Sequence, residues 1–484
     1  MIPTSLKRIT GKRLHGRGGI AELLPIAFPL IVSQASDTIM MFVDRLFLSR
    51  VSKLDMAAAM SGGLTAFTML TFFVGVLGYT NALVGQYLGA GRPQQCSRTT
   101  VQGLYIALLA TPVAWVLTRV GPLLFKVFRH SDALLQRESI YFQILMYGAF
   151  LLLARVALSG FFAGTGRTRV IMLSNLVGML VNVGANYVLI FGRLGIPPLG
   201  IRGAACGTLI GSAAALVVLT VAYLQRDNRQ RYATHRAWRP RPVLARRLMR
   251  YGVPSGGELL LNVAAFNVVV QLLHSYGPDV AAAVTITFNW DLVAFVPMTG
   301  LNVAVMSLVG RHMGAEDTQA AGRTAISGLV LAYAYAASLA LLFLCVPGPL
   351  VAVFTPSGMD SAAVRPLAIA LLRLAAFYTL ADATFLVFGG ALRGAGDTRW
   401  MMVASVLIHW CMVAVLVTAV KILELPPVRA WALFVGFILA LGLTTFLRFR
   451  HGAWKTLRVL EERPPAAPVS AAVTPEGSLE SETH

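Results

Sequence analysis

Along most of the chain, apolar positions do not alternate with polar ones. They run on for about 20 residues, are interrupted by a short cluster of glycine, proline or charge, and resume. A helix rising about 1.5 Å per residue crosses a hydrocarbon layer of about 30 Å in roughly 20 residues. The pattern therefore predicts twelve membrane-spanning helices, near 24–48, 57–85, 99–119, 139–163, 170–191, 203–224, 253–275, 280–306, 324–346, 366–389, 400–420 and 430–447. One soluble-looking stretch divides the series. Gln225 to Arg250 carries nine arginines against Asp227 alone and reads as a basic cytoplasmic hinge between two apolar halves.

The halves repeat one another. Residues 84–104, VGQYLGAGRPQQCSRTTVQGL, align without gaps on 309–329, VGRHMGAEDTQAAGRTAISGL, at an offset of 225, with nine of 21 positions identical. The same offset sets Pro29 on Pro254, and at 230 GFFAGTGRTRVIM (160–172) meets GALRGAGDTRWMM (390–402). Apolar composition alone does not put glycine and arginine in constant register. The expectation is an all-α polytopic membrane protein, its twelve transmembrane helices forming two six-helix lobes with pseudo-two-fold symmetry along the membrane normal. The expected segments are a basic cytoplasmic N-terminus (1–20), an N-lobe (21–224), the linker (225–250), a C-lobe (251–450) and a largely disordered cytoplasmic tail (451–484), rich in Pro, Ala and Ser.

Composition agrees: 56% hydrophobic and 13% charged residues over 484 positions exclude a soluble globular protein. A net charge of +20 would suit a nucleic-acid binder, so the placement of the 41 Lys and Arg residues decides. With a cytoplasmic N-terminus, 27 fall on the inside, 11 outside, and Arg45, Arg155 and Arg373 within spans. That bias predicts both termini in the cytoplasm and no nucleic-acid partner. The basic start lacks a cleavable signal pattern. Cys96, Cys206, Cys345 and Cys411 are too scattered for a disulfide or metal framework. The glycine-rich turns lack GxxxxGK[ST] and read as tight helix connections using glycine for unusual backbone angles.

The chain resembles the multidrug and toxic compound extrusion (MATE) transporters. The likeness rests on PLIVSQASDTIMMFVDRLFL from Pro29, the GQYLGAG turn, NLVGMLVNVGANYVLIFG (175–192) with GIPPLGIRGAACGT (195–208), YGVPSGGE at the seventh span and ALRGAGDTR (391–399), and covers about residues 20–450. The resemblance implies a bacterial inner-membrane protein that exports bulky, often cationic aromatic small molecules against an inward flow of H+ or Na+. It implies no ATP hydrolysis, no cofactor beyond the coupling ion, no enzymatic chemistry, and a monomer at work in the bilayer.

An ionisable group within hydrocarbon costs at least about 2.5 kcal/mol, so acids inside spans are candidate coupling sites. Asp37 and Asp44 lie seven apart on one face of the first helix, with Gln34 nearby. By resemblance, Asp44 is the family's first-helix aspartate, and Asn182 and Asn186 are its fifth-span pair; with Tyr141 and Thr208 they would complete a polar N-lobe pocket. Asp382 with Tyr378 matches the tenth-span pair. Asn262 stands where many relatives carry glutamate, and Glu258, one turn before it, is expected to supply the missing charge. Asp37 and Asp291 lie off the family pattern. Structural alternatives stay open: a salt bridge of Asp44 with its neighbour Arg45, interhelical hydrogen bonding by the asparagines, and pairing of Glu258, Asp291 and Asp382 with Arg373 or Arg155. Met40, Met41, Phe266, Phe288, Trp290 and Phe377 are expected on the substrate surface. A rival on related architecture is a flippase for lipid-linked saccharides or envelope precursors, whose cleft would hold arginines for phosphate.

Overall fold

The structure is a computed structural model describing residues 16–127, 131–354 and 361–460, all helix and connection. The first half comprises α1 (Ile20–Ser49), α2 (Lys53–Gly78) with α3 (Thr80–Gly89), α4 (Pro93–Leu117) with α5 (Val120–Val127), α6 (Asp132–Tyr147) with α7 (Ala149–Gly164), α8 (Thr168–Phe191) and α9 (Ile201–Leu224). After α10 (Arg226–Tyr232), the second half comprises α11 (Pro242–His274), α12 (Pro278–Gly314), α13 (Thr318–Cys345) with α14 (Pro347–Ala352), α15 (Ser361–Ala395), α16 (Thr398–Val417) and α17 (Pro427–His451). Eleven of these paths are long and apolar enough to cross a membrane, and α6 with α7, bent by 48°, completes twelve. Prolines begin α4, α11, α12 and α17, where the missing N–H costs no helical hydrogen bond.

The expected hinge is shorter and more tightly held than its charge suggests. Residues 226–232 are helical, and α11 starts at Pro242, so the last third of the expected linker is already the seventh helix. The rest is strapped to the first half. Ser97 donates to the Tyr232 carbonyl at 2.6 Å, Tyr105 to that of Trp238, and Gln102 accepts from the Arg241 amide at 3.0 Å. Arg167 pairs with Asp227 and donates to Asn228, and holds the Asp227 carboxyl below its ordinary range. Short-range charge reads as solvation; the neutral residues of α4 that catch the strap's backbone lie more than a hundred positions away. Of the expected basic N-terminus and tail, only 16–20 and 451–460 lie among the described residues.

The duplication becomes a set of reciprocal backbone contacts. A Cβ on Gly89 would lie 1.8 Å from the Arg311 carbonyl oxygen, and one on Gly314 2.0 Å from that of Gln86. Gly89 and Gly314, like Gln86 and Arg311, are partners at the offset of 225. Farther along, Gly75 abuts Gly256 and Gly300 abuts Ile31, again equivalent pairs. The pseudo-two-fold axis therefore runs between α3 and the end of α12. The positive-φ turn is also repeated, at Gly91 (φ 68°) and Glu316 (φ 61°). Here the expectation of glycine fails in the second copy: a glutamate carries the left-handed angle.

These contacts gather at the end of the bundle that bears the linker. Cross-lobe hydrogen bonds join Asn81 to the Val303 carbonyl (3.0 Å), Gln86 to that of Gly394 (2.8 Å), Ser307 to that of Ala163 (2.6 Å) and Gln34 to Thr299 (3.1 Å). One apolar core, from Leu23 through Leu308 to Phe388, is shared by both lobes there. Toward the opposite end each lobe has its own core, around Phe142 and Tyr141 in the first and around Trp431 and Tyr378 in the second. The lobes are joined at the linker end and separately packed beyond it.

Candidate ion and substrate sites

Two turns separate Asp37 from Asp44 on α1, and the structure gives them different surroundings. Asp44, 7% exposed, accepts from Asn186 Nδ2 at 2.5 Å and from Thr208 Oγ1 at 3.5 Å. Asn186 reaches Asn182 Oδ1 at 3.4 Å, and Tyr141 is buried beside the same carboxylate. Helices α1, α6, α8 and α9 thus bring together one carboxylate, two amides and two hydroxyls. Asn182 Nδ2 and Asn186 Oδ1 are buried without a partner. Such an orphan amide oxygen beside a carboxylate suits a hard monovalent cation, which prefers oxygen ligands.

Asp37 is committed elsewhere. Its Oδ1 lies 3.6 Å from Arg155 Nη2, and its Oδ2 accepts from Asn175 Nδ2 at 3.1 Å. Asn175 also donates to Ser33 at 2.6 Å. In the second lobe the equivalent first-to-fifth helix bond runs from Asn262 Nδ2 to Ser405 Oγ at 2.7 Å. Asp37 and Asn262 are partners at offset 225, and Asn175 and Ser405 at 230, so one polar contact has been inherited twice with different side chains.

On α12 and α15 a second acidic site forms. Tyr378, 1% exposed, donates to Asp291 Oδ1 at 3.0 Å, and Asp382, one turn farther along α15, lies within electrostatic reach of Asp291. The expected third member is absent from this cluster. Glu258 is buried against Arg393, with Oε1 2.9 Å from Nη1, near the linker end of α15. Arg393 stands eleven residues beyond Asp382 on one helix, an axial separation of about 16 Å. Glu258 therefore does not supply the charge missing at Asn262. Arg393 lies beyond the expected tenth span, 366–389, and its pairing with Glu258 depends on how α15 is rotated against α11, which no spacing in the sequence specifies.

The pair has a testable cost. Removing one member of a buried ion pair strands the other and costs about 3–5 kcal/mol, whereas replacing both with apolar residues of similar volume is often neutral. Arg393→Met and Glu258→Met are each expected to lower the stability of purified protein by about that amount, with the double variant recovering most of it. Thermal unfolding in detergent reads the cycle; additive losses would mean that the pair is not a unit.

The aromatic expectations divide. Phe288 is enclosed by Phe266, Trp431 and Phe434, with ring centroids 5.1–6.1 Å apart. Trp290 donates to the Leu350 carbonyl at 3.0 Å and sits edge-on to Phe354. Both rings are occupied by packing inside the second lobe, which corrects their expected place on the substrate surface. Met41, Phe266 and Phe377 are exposed and Met40 is half-buried. Met41 lies two turns beyond Gln34 on one face of α1, and Gln34 meets Thr299 on α12 of the other lobe.

Comparison with known proteins accords with this two-part plan. Residues 29–188 and 254–418 match the MatE family model, one segment in each lobe. The chain is 27% identical over 391 residues to the probable multidrug resistance protein NorM of Shewanella oneidensis, covering 80% of this chain and 84% of that one. Its identity to the Pasteurella multocida protein of the same name is 27% over 431 residues, covering 88% and 92%. In fold it is similar to a MOP superfamily transporter from Pyrococcus furiosus, with a TM-score of 0.82 and 17% identity over 92% of this chain and 98% of that one. A multidrug resistance MATE family transporter in an outward-facing conformation gives a TM-score of 0.81 at 17% identity, over the same shares of the two chains. With its family segments divided between two duplicated six-helix lobes, this chain belongs to the MatE family of multi-pass membrane transporters and is not an enzyme.

Proposed function

We propose that the protein is a secondary antiporter that exports bulky, cationic aromatic compounds in exchange for H+ or Na+. The observation that carries this reading is that each lobe holds carboxylates whose hydrogen bonds come from neutral groups: Asp44 with Asn186 and Thr208, and Asp291 with Tyr378 beside Asp382. A carboxylate left charged in a low-dielectric site needs a counter-cation. A proton or sodium ion entering from one side neutralises it, and a cationic substrate competes for the same charge from the other. The coupling ion adds to each site only what its own oxygens can hold, the Asp44 carboxylate with the Asn182, Asn186 and Thr208 oxygens in one lobe and the two aspartates with Tyr378 in the other.

On this reading the linker end lies in the cytoplasm of a bacterial inner membrane, and the structure is the state closed on that side. Rocking of the lobes about the Gly89–Gly314 contacts exposes the sites alternately to the two faces. One chain supplies both lobes and works as a monomer. The names of the NorM relatives support drug export. Of the three arginines expected within spans, the rival flippase loses Arg155, which is engaged with Asp37.

Inside-out vesicles containing the protein test the reading. A sodium or proton gradient, high in the lumen, is expected to drive a fluorescent aromatic cation inward, and the effective gradient names the coupling ion. If folded protein moves no cationic dye under either gradient, the proposal fails.

A further inference from the structure

At the linker end, α1 of the first lobe meets α13 and α17 of the second around a groove that none of the transport chemistry uses. Its volume is about 580 Å3, within the range of about 300–1,000 Å3 that accommodates small organic molecules. Three cations line it, Arg323, Arg450 and Lys455, and no acid does among the described residues. Arg323 Nε is buried there without a hydrogen-bond partner. The first turn of α1 forms the facing wall at Gly19 and Ile20; its acid, Glu22, is not part of the lining and is engaged by the Gly18 amide at 2.7 Å and by His312 at 3.5 Å. Three like charges in one concavity repel unless an anion lies between them.

The shape of the groove selects among anions. Farther along α13 its wall becomes apolar at Ile326 and Val330, both exposed. Trp454, stacked on Phe449 with ring centroids 5.0 Å apart, closes the other side beneath Lys455. Cations at the end of a membrane-crossing bundle with apolar side chains running inward from them match an amphiphile standing upright in the bilayer. We infer that this groove binds the phosphate headgroup of an anionic membrane phospholipid, with an acyl chain along Ile326 and Val330.

The site bridges the lobes. Gly18, just before α1, accepts from Ser327 of α13 at 2.9 Å, and Gly19 and Ile20 form the wall opposite Arg323. Its walls come together only while the linker end is closed, so a bound lipid favours that arrangement. This consequence rests on the alternating-access reading, but binding itself does not.

Native mass spectrometry of the full-length protein separates the two questions, because it reads lipid binding without transport. Phosphatidylglycerol is expected to remain bound where phosphatidylcholine is lost. At roughly fivefold per interfacial charge, Arg323→Gln with Arg450→Gln should weaken phosphatidylglycerol at least tenfold. Lys455→Gln, at an exposed site, gives a milder loss in a variant whose folding is not at issue. Brominated phosphatidylglycerol should quench a component of tryptophan fluorescence that disappears in Trp454→Phe. Equal retention of both lipids, or full phosphatidylglycerol binding by the double variant, overturns the inference. So does displacement of the lipid by inorganic phosphate at equal concentration, which would make this a free-anion site. Phosphatidylglycerol binding that appears only after truncation at Leu460 would assign the groove to the acidic residues of the chain's own tail, and would also overturn it.

Discussion

Asp382→Asn is expected to reduce gradient-driven movement of an aromatic cation to background while leaving the chain folded. The substitution keeps the shape of the side chain and removes its charge. It leaves Tyr378 and Asp291 hydrogen-bonded as before. A hydrogen bond or ion contact to a charged group is worth about 1.5–3 kcal/mol, so cation affinity should fall roughly 10- to 150-fold. Stability should not fall, because the variant no longer needs a counter-charge near Asp291. Transport in the vesicles described above and thermal unfolding of the purified variant are the paired measurements. Tyr378→Phe should act more weakly, since it removes one neutral donor. Wild-type transport by Asp382→Asn would remove the second-lobe cluster from the mechanism, and coupling would then have to rest on Asp44.

The second large effect concerns the contact between lobes. Gly89→Val and Gly314→Val each place side-chain atoms where a backbone carbonyl of the other lobe already stands, 1.8 Å and 2.0 Å from an added Cβ. Backbone cannot be displaced as a flexible side chain can. Overpacking in a close-packed interior costs about 1–3 kcal/mol or more, and here the cost falls only on the arrangement in which the lobes touch. The variants should therefore be driven toward the state open at the linker end, and transport should stop. A cysteine at Ser307, 2% exposed beneath the contact, should become reactive to a polar thiol reagent in the Gly89→Val background and stay protected without it, in protein lacking its four native cysteines. Equal protection in both would show that the two glycines do not control the opening. Because the contacts are equivalent, Gly314→Val should behave like Gly89→Val.

The glycines show why so much of the architecture was legible. A glycine required by a backbone-to-backbone contact must recur in both copies, so matches such as Gly89 with Gly314 survive where side chains have drifted. Spans were legible for a related reason: in hydrocarbon every backbone group must bond within its own helix, which leaves long apolar runs. The neighbourhood of Asp44 could be assembled only through likeness to a family. No periodicity relates Asn186 and Thr208 to a residue on α1.

What could not be read was rotation of helix against helix. Glu258 and Asn262 share a face of α11, yet one meets Arg393 and the other Ser405. Trp290 and Asp291 are adjacent in sequence, and their side chains leave α12 about 100° apart, one toward α14 and the other toward α15. The Asp37–Asn175 and Asn262–Ser405 contacts are related by the two repeat offsets, 225 and 230, and so have a signature in the sequence.

The shared core at the linker end also bears on the order in which the protein can be made. The hydrogen bond from Ser327 to Gly18 spans 309 residues, and that from Gln86 to Gly394 spans 308. At translation rates of about 5–20 residues per second, the first lobe waits roughly 15–60 s before the chain that caps its inner end has been synthesised. Through that interval Gln86 and Asn81 lack their native acceptors, and the α3 surface around Gly85 and Gly89 is bare backbone. The first lobe is thus an unfinished product on leaving the ribosome, completed by its own later duplicate. A chain halted after α9 should be recognised by membrane quality control even though all six of its spans are intact.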